Sequence, residues 1–340
     1  DSFIGLVGSE MCIRDSLIEC DGPSRVTTNA EIVVDNDVFL GGNGVLTVDG
    51  GDDHPVFSVV EGVTVWLDGM SVVGGFANQS CAGLSNAGTL LLTDIAVLGN
   101  AATAGGGGIC NSGTLMLFNT TVTSNRAQAC AGIFNNGTLT VENSTVSANV
   151  ATWGGGGVCS SVRLTLSQSA VFGNIAEYAG GVENSGTLTL SNSTLSGNTS
   201  SGTGGGLWNS GVGTVTNSTL STNAAGSDGG AIHNVGTLII EKSLIDGDCN
   251  GDVEPISSHG YNIESAGDTC GLDHETDQVG VQAEGLRVEP LGLNGGRTPT
   301  HALLTGSVAV DQIPDTVCEL DQDQRGVARP QGAMCDVGSF

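Results

Sequence analysis

The chain is poor in positive charge. Its 340 residues hold nine Lys and Arg, only one of them lysine, against 36 Asp and Glu, for a formal net charge of −27. Attraction to a phosphate backbone or an anionic bilayer needs clustered Lys and Arg, so charge excludes nucleic-acid and membrane-surface partners. Aromatics are scarce as well, with eight Phe, three Trp and two Tyr. So few large side chains do not fill the cores of two or three ordinary globular domains. No run of 18 apolar residues occurs, which leaves no candidate transmembrane helix. The first sixteen residues have neither a basic n-region nor a small-residue cleavage site, so no secretory signal is legible there.

Glycine is abundant instead, with 55 residues, and it falls within a repeating phrase. The phrase reads Asn-x-Gly-Thr-Leu, then Ser-Thr-Val or Ser-Thr-Leu, then Asn, then a glycine run. Copies begin at Asn86, Asn111, Asn135, Ser160, Asn184, Asn209 and Asn234, every 24 or 25 residues, with a looser register back through Glu61 to Asn36. Self-similarity at that period marks a solenoid. Within the copy from Asn184, Leu188 and Leu190 alternate with threonines, the period-two pattern of a half-buried strand. A second short strand is expected at Ser193–Leu195, and a third around the apolar residue after each glycine run: Ile109, Ile133, Val158, Val182, Leu207 and Ile232. Three short strands per repeat and no helical periodicity predict an all-β parallel β-helix (solenoid) of about nine coils with an irregular C-terminal cap.

Stacking the copies superimposes like residues. Leu90, Leu115, Leu139, Leu164 and Leu188 form one predicted core column, Leu92 through Ile240 a second, and Val97 through Ile245 a third. Asn86 through Asn234 and Asn100 through Asn223 form two corner columns, in which asparagine tolerates a left-handed backbone and can bond to the amide above and below. The glycine runs are not phosphate loops, since neither a following helix nor a lysine accompanies them. The expected organisation is a non-native leader at 1–16, an N-terminal cap or flank at 17–35, repeats at 36–248 and an irregular, disulfide-containing cap at 249–340. Val7 to Ser16 resembles translated sequencing-adaptor read-through, and the chain is expected to be a fragment of a longer protein.

Two sets of phrases carry a family resemblance. Gly106-Gly-Gly-Ile-Cys-Asn111, Ala131-Gly-Ile-Phe-Asn135, Gly205-Gly-Leu-Trp-Asn209 and Gly229-Gly-Ala-Ile-His-Asn234 resemble the Gly-Gly-Ala-Ile repeats of polymorphic outer membrane proteins. Downstream, Gly260-Tyr-Asn-Ile263, Leu293-Asn-Gly-Gly-Arg-Thr-Pro-Thr-His-Ala302, Asp323-Gln-Arg-Gly-Val-Ala-Arg-Pro-Gln-Gly332 and Cys335-Asp-Val-Gly-Ser-Phe340 resemble the terminal region of secreted bacterial β-helix proteins of the choice-of-anchor type. The resemblance implies a right-handed parallel β-helix, export and attachment to the cell surface, and supplies no substrate.

The sequence has ten cysteines. Cys249 with Cys270 and Cys318 with Cys335 each close a short irregular segment and are expected to be disulfides in an oxidising compartment. Cys110 and Cys159 share one column two coils apart, as do Cys81 and Cys130 in another. At about 4.8 Å per coil each pair is separated by roughly 10 Å, beyond the roughly 7 Å limit of a disulfide, so these four are expected to be unpaired. Asp246, Asp248, Asn250 and Asp252 alternate like the ligands of a calcium loop, although the closing glutamate is absent and Ser257 stands in its place. Calcium is therefore the one cofactor the pattern suggests. Asp49, Asp52, Asp53 and His54 read as a solvated acidic turn.

The residue before the corner asparagine varies: Ser85, Cys110, Phe134, Cys159, Glu183, Trp208 and His233. Variation beside an invariant column indicates an outward position. Phe134 and Trp208, with Trp153 and Tyr178 in adjacent turns, form the candidate ligand-binding set, able to stack on sugar rings. The Asn-x-Ser/Thr triplets at Asn119, Asn143, Asn192 and Asn217 arise from the repeat itself. These readings favour a non-catalytic extracellular or cell-surface protein, adhesin-like, that presents a β-helix face to a polysaccharide or cell-surface ligand. The alternative is a polysaccharide lyase or glycoside hydrolase on the same scaffold. Catalysis would need acids grouped with a base, and from Asn86 to Ile245 the bases are Arg126, Arg163 and Lys242, with no acid repeated in one column beside them.

Overall fold

The computed structural model describes residues 13–14, 17–18, 22–250 and 256–340. It is an all-β, right-handed parallel β-helix of about nine turns, with strands arranged in sheets of 22, 10 and 7. Among the described residues, helix is confined to Ala283–Leu286 and a 3-10 turn at Asp315–Val317, and no helix is long and apolar enough to cross a membrane.

One coil shows how the repeat folds. A five-residue strand (Thr114–Phe118) leads to a three-residue strand (Thr121–Thr123), a two-residue strand (Arg126–Ala127) and a closing strand (Ile133–Asn135). Leu115, Leu117, Val122 and Ile133 point inward and are buried, while Met116 and Phe118 face out. Left-handed residues make the corners: Asn119, Ser124 and Cys130, with φ of 51°, 58° and 52°. Neighbouring coils stack without register shift, so Leu90, Leu115, Leu139, Leu164 and Leu188 lie one above another as the sequence predicts. At the next rung Gly213 replaces leucine, and Leu238 of the following coil fills the space its side chain would take.

Polar ladders hold the corners. Asn125 Nδ2 donates to Asn149 Oδ1 at 3.0 Å, and Asn149 to Asn174 at 3.0 Å, in the predicted manner. The other amide column runs Asn86 to Asn111 to Asn135 at 2.7 Å per step, then meets Ser160 at 2.9 Å. A third ladder was not foreseen: the backbone N–H of Thr120 donates to Ser144 Oγ, Ser144 to Ser169, Ser169 to Ser193, and Ser193 to Ser218. It accounts for the Asn-x-Ser/Thr triplets. In Asn143-Ser144-Thr145 the asparagine takes the left-handed corner, the serine is buried in the ladder and the threonine opens the next strand.

The expectation that Cys81, Cys110, Cys130 and Cys159 are unpaired is corrected. Cys81 is bonded to Cys110 and Cys130 to Cys159, with Cα separations of 5.2 and 5.4 Å. Spacing within a column does not apply, because each bridge runs diagonally from a left-handed corner to the closing strand of the next coil, 29 residues on. Glycine at the intervening corner makes this approach feasible, since a Cβ on Gly155 would collide with Cys159 Sγ. Cys249–Cys270 and Cys318–Cys335 are bonded as expected, while Cys12 and Cys20 lie outside the described residues.

Solenoid pairing continues past residue 249 through Ser257–Ser258, Ile263–Ser265 and Gln278–Val281. The remaining chain doubles back along the outer face of the three-residue strands. Leu286, Ala309, Ile313 and Val337 pack on Leu244 and Ile263. Farther back, Gln324 Oε1 accepts from Thr194 Oγ1 at 2.7 Å, Gln324 Nε2 donates to Ser169 O at 3.2 Å, and Thr298 Oγ1 donates to Gln168 O at 3.1 Å. The downstream phrases thus have a structural role: Thr298, Thr300, His301, Asp323, Gln324 and Ser339 are all buried beneath this strap.

Candidate functional site

From Cys110 to His233 the middle residue of the closing strand lies beside a glycine corner of its own or the preceding coil. Ser85, Cys110, Phe134, Cys159, Glu183, Trp208 and His233 occupy successive rungs in unshifted register. Phe134 lies against Gly105 and Gly106 of the preceding coil, Glu183 against Gly154 and Gly155, and Trp208 against Gly204 of its own coil. Cys110 and Cys159 are buried in their disulfides, not exposed as the variable column implied. Phe134 and Trp208 are half-buried, whereas Trp153 and Tyr178, at the adjoining corner, are 59% and 42% exposed.

These positions set one ring per coil along a single edge. Phe134, Trp153, Tyr178, Trp208 and His233 belong to five consecutive coils, an extent of four steps of about 4.8 Å, or roughly 19 Å. The His233 imidazole stacks on the Trp208 indole, centroids 6.4 Å apart and planes 12° from parallel. His233 Nδ1 is buried and has no hydrogen-bond partner among the described residues.

Glu183 is the rung before Trp208. Its Oε2 lies 3.5 Å from Cys159 Sγ, a disulfide sulfur with no hydrogen to donate, and no other donor reaches it among the described residues. Burial without a compensating partner raises its pKa above the ordinary glutamate value. The sequence reading selected the rings of this edge and passed over Glu183 and His233. Both were legible as members of the variable column, and an acid facing outward beside tryptophan, in coils with so few acids, was the available signal.

The acidic loop behaves differently. Asp248 accepts hydrogen bonds from the Gly229 and Gly230 N–H groups at 3.2 and 3.0 Å, and Asp246 accepts from Ser221 Oγ at 2.8 Å. Asn250 pairs in register with His233, and Asp252 lies outside the described residues. Among the described residues, no three His, Cys, Asp or Glu side chains come together. In the second acidic turn, Asp49 is 2.6 Å from Arg25, and the His54 ring nitrogens reach Pro55 O and Thr28 O at 2.8 and 3.0 Å.

None of the bases of the coils pairs with the edge carboxylate among the described residues. Arg126 stands on the two-residue strand in a shallow cleft with Thr103, Gln128 and Thr152. Arg163 is flanked in its column by Thr138 and Thr187, and Lys242 is buried, 2.9 Å from Glu241 Oε1.

No protein-family model and no curated protein matches the chain. The fold is similar to that of a pectate lyase. The crystal structure of pectate lyase Pel9A superimposes with a TM-score of 0.54 over 95% of this chain and 85% of that one, at 13% sequence identity. At that identity the likeness is one of fold.

Proposed function

We propose that this is an extracellular, non-catalytic glycan-binding solenoid, adhesin-like in mode, whose aromatic edge lies along a polysaccharide chain. The observation that carries this reading is the succession of one partly exposed ring per coil from Phe134 to His233, in two adjoining columns. Aromatic rings take the CH faces of sugars, and a series of them suits a polymer better than a small molecule. Four disulfides support an oxidising compartment. Export also agrees with the resemblance to surface proteins carried by the phrases within the repeats and downstream of them. The separation of Arg126, Arg163 and Lys242 from Glu183 favours binding over cleavage, since lyase chemistry needs a base beside the acidic site.

Cleavage is the competing reading. It draws on the fold likeness to a pectate lyase and on the raised pKa of Glu183, a property of general acids in glycoside hydrolysis. One experiment separates the two: incubation with soluble neutral and acidic polysaccharides, following both retention on immobilised glycan and release of reducing or unsaturated ends. Retention without new ends is expected. Phe134→Ala, Trp153→Ala and Trp208→Ala combined should abolish retention, whereas new ends would establish catalysis.

A further inference from the structure

We infer that Glu183, Trp208 and His233 form the polar subsite of the aromatic edge, one that takes a neutral, hydroxyl-bearing sugar residue and rejects carboxylated sugars. This rests on the glycan-binding reading above and narrows it to a ligand class. The three side chains occupy consecutive rungs of one column, with Trp208 between the other two. His233 stacks on the indole and fixes its plane. On the other side, the half-buried Glu183 carboxylate has no donor among the described residues, its nearest polar neighbour being a disulfide sulfur at 3.5 Å. A half-buried carboxylate that the protein leaves without a donor needs one from solvent or from a ligand. Two hydroxyls of a sugar whose CH face rests on the indole meet that need, and O–H bonds to an ionised acceptor are the stronger kind.

Charge decides between classes of sugar. The carboxylates of this edge are Glu177, Glu183, Asp228 and Asp248, the last bonded to the Gly229 and Gly230 N–H groups. The bases of the regular coils stand on other strands, Arg126 two coils before Glu183 and Arg163 at the head of a five-residue strand, stacked on Thr187. A uronate carboxylate at the Trp208 ring would meet Glu183 directly, and like charges juxtaposed at an interface exclude a partner. The chain as a whole, at −27, repels polyanions as well.

The test is calorimetric titration of the full chain with neutral hexasaccharides (cellohexaose, xylohexaose, laminarihexaose, chitohexaose) and with hexagalacturonate. Binding of a neutral probe and none of the uronate is expected. Glu183→Ala should weaken neutral binding about tenfold or more, the loss of one charge-assisted contact. Glu183→Gln, which keeps the shape and removes the charge, should narrow the preference for neutral over uronate. Uronate bound by the wild type as tightly as any neutral probe, through Arg126 for instance, would overturn the inference. So would unchanged neutral affinity in Glu183→Ala, or an unchanged preference in Glu183→Gln. Loss of binding to both classes by the wild type would instead sink the glycan-binding reading, and this inference with it. Cooperative melting of both variants at or above about the wild-type temperature shows that the fold is kept.

Discussion

Asn149 shows what a single buried amide does in this fold. It donates to Val122 O and Asn174 Oδ1 and accepts from the backbone and side-chain nitrogens of Asn125, all within 3.1 Å. Asn149→Ala leaves several of these groups unpaired and should cost about 3 kcal/mol or more in denaturant unfolding. The outward Thr189→Ala should stay within about 0.5 kcal/mol of wild type. Glu183 makes the opposite case. Burial raises its folded pKa, so the folded state binds the proton more readily than the unfolded chain does, and stability gains as pH falls through the folded value. Glu183→Gln should therefore melt above wild type at pH 7 and lose that advantage below about pH 4. A constant difference across pH would contradict the assignment. The sequence made Asn149 legible because a whole column repeats it. The environment of Glu183 was hidden because it depends on Cys159, whose bonding was misread.

The strand, the bridge and the strap were legible to different degrees, for identifiable reasons. Core strands such as Thr187–Ser191 were plain, because alternation of Leu with Thr is repeated at fixed spacing. The two-residue strand Arg126–Ala127 was invisible, being too short to show a period. The diagonal bridges were missed because distance was judged along columns, whereas the coil brings Cys130 beside Cys159 across a corner. Non-reducing peptide mapping should recover Cys81 linked to Cys110 and Cys130 linked to Cys159. Replacing Cys130 and Cys159 with serine should cost about 2–4 kcal/mol. The strap has no repeat and its course could not be read, although its anchoring residues stood out as family phrases. His301 is one such anchor, 3% exposed, with Nε2 2.8 Å from Ser196 Oγ and Nδ1 2.7 Å from Glu289 O. Burial lowers its pKa, opposed in part by the Glu289 carbonyl and by Asp246. The unfolded histidine takes a proton near pH 6.5, so the docked strap has its full stability above that value and loses it as pH falls through the lowered folded pKa. Limited proteolysis should cut the strap faster at pH 5 than at pH 7, and His301→Gln should flatten the difference.

At the scale of the molecule, stacking turns a sequence period into a surface period. Each coil repeats the same core, so the proposed function falls to positions free to vary: the column of Phe134, Glu183, Trp208 and His233, with Trp153 and Tyr178 at the adjoining corner. Arg126 and Arg163 stand on other strands and Lys242 is buried at a left-handed corner, a dispersal that supports the proposed binding role. The most direct test of that account is the retention assay on immobilised neutral polysaccharide, run for the wild type and for the Phe134, Trp153 and Trp208 triple alanine variant with product release followed in parallel. The account predicts that the wild type is retained, that the variant is not although it melts as the wild type does, and that neither releases new chain ends. Equal retention of the two proteins, or chain ends released by the wild type, would contradict it.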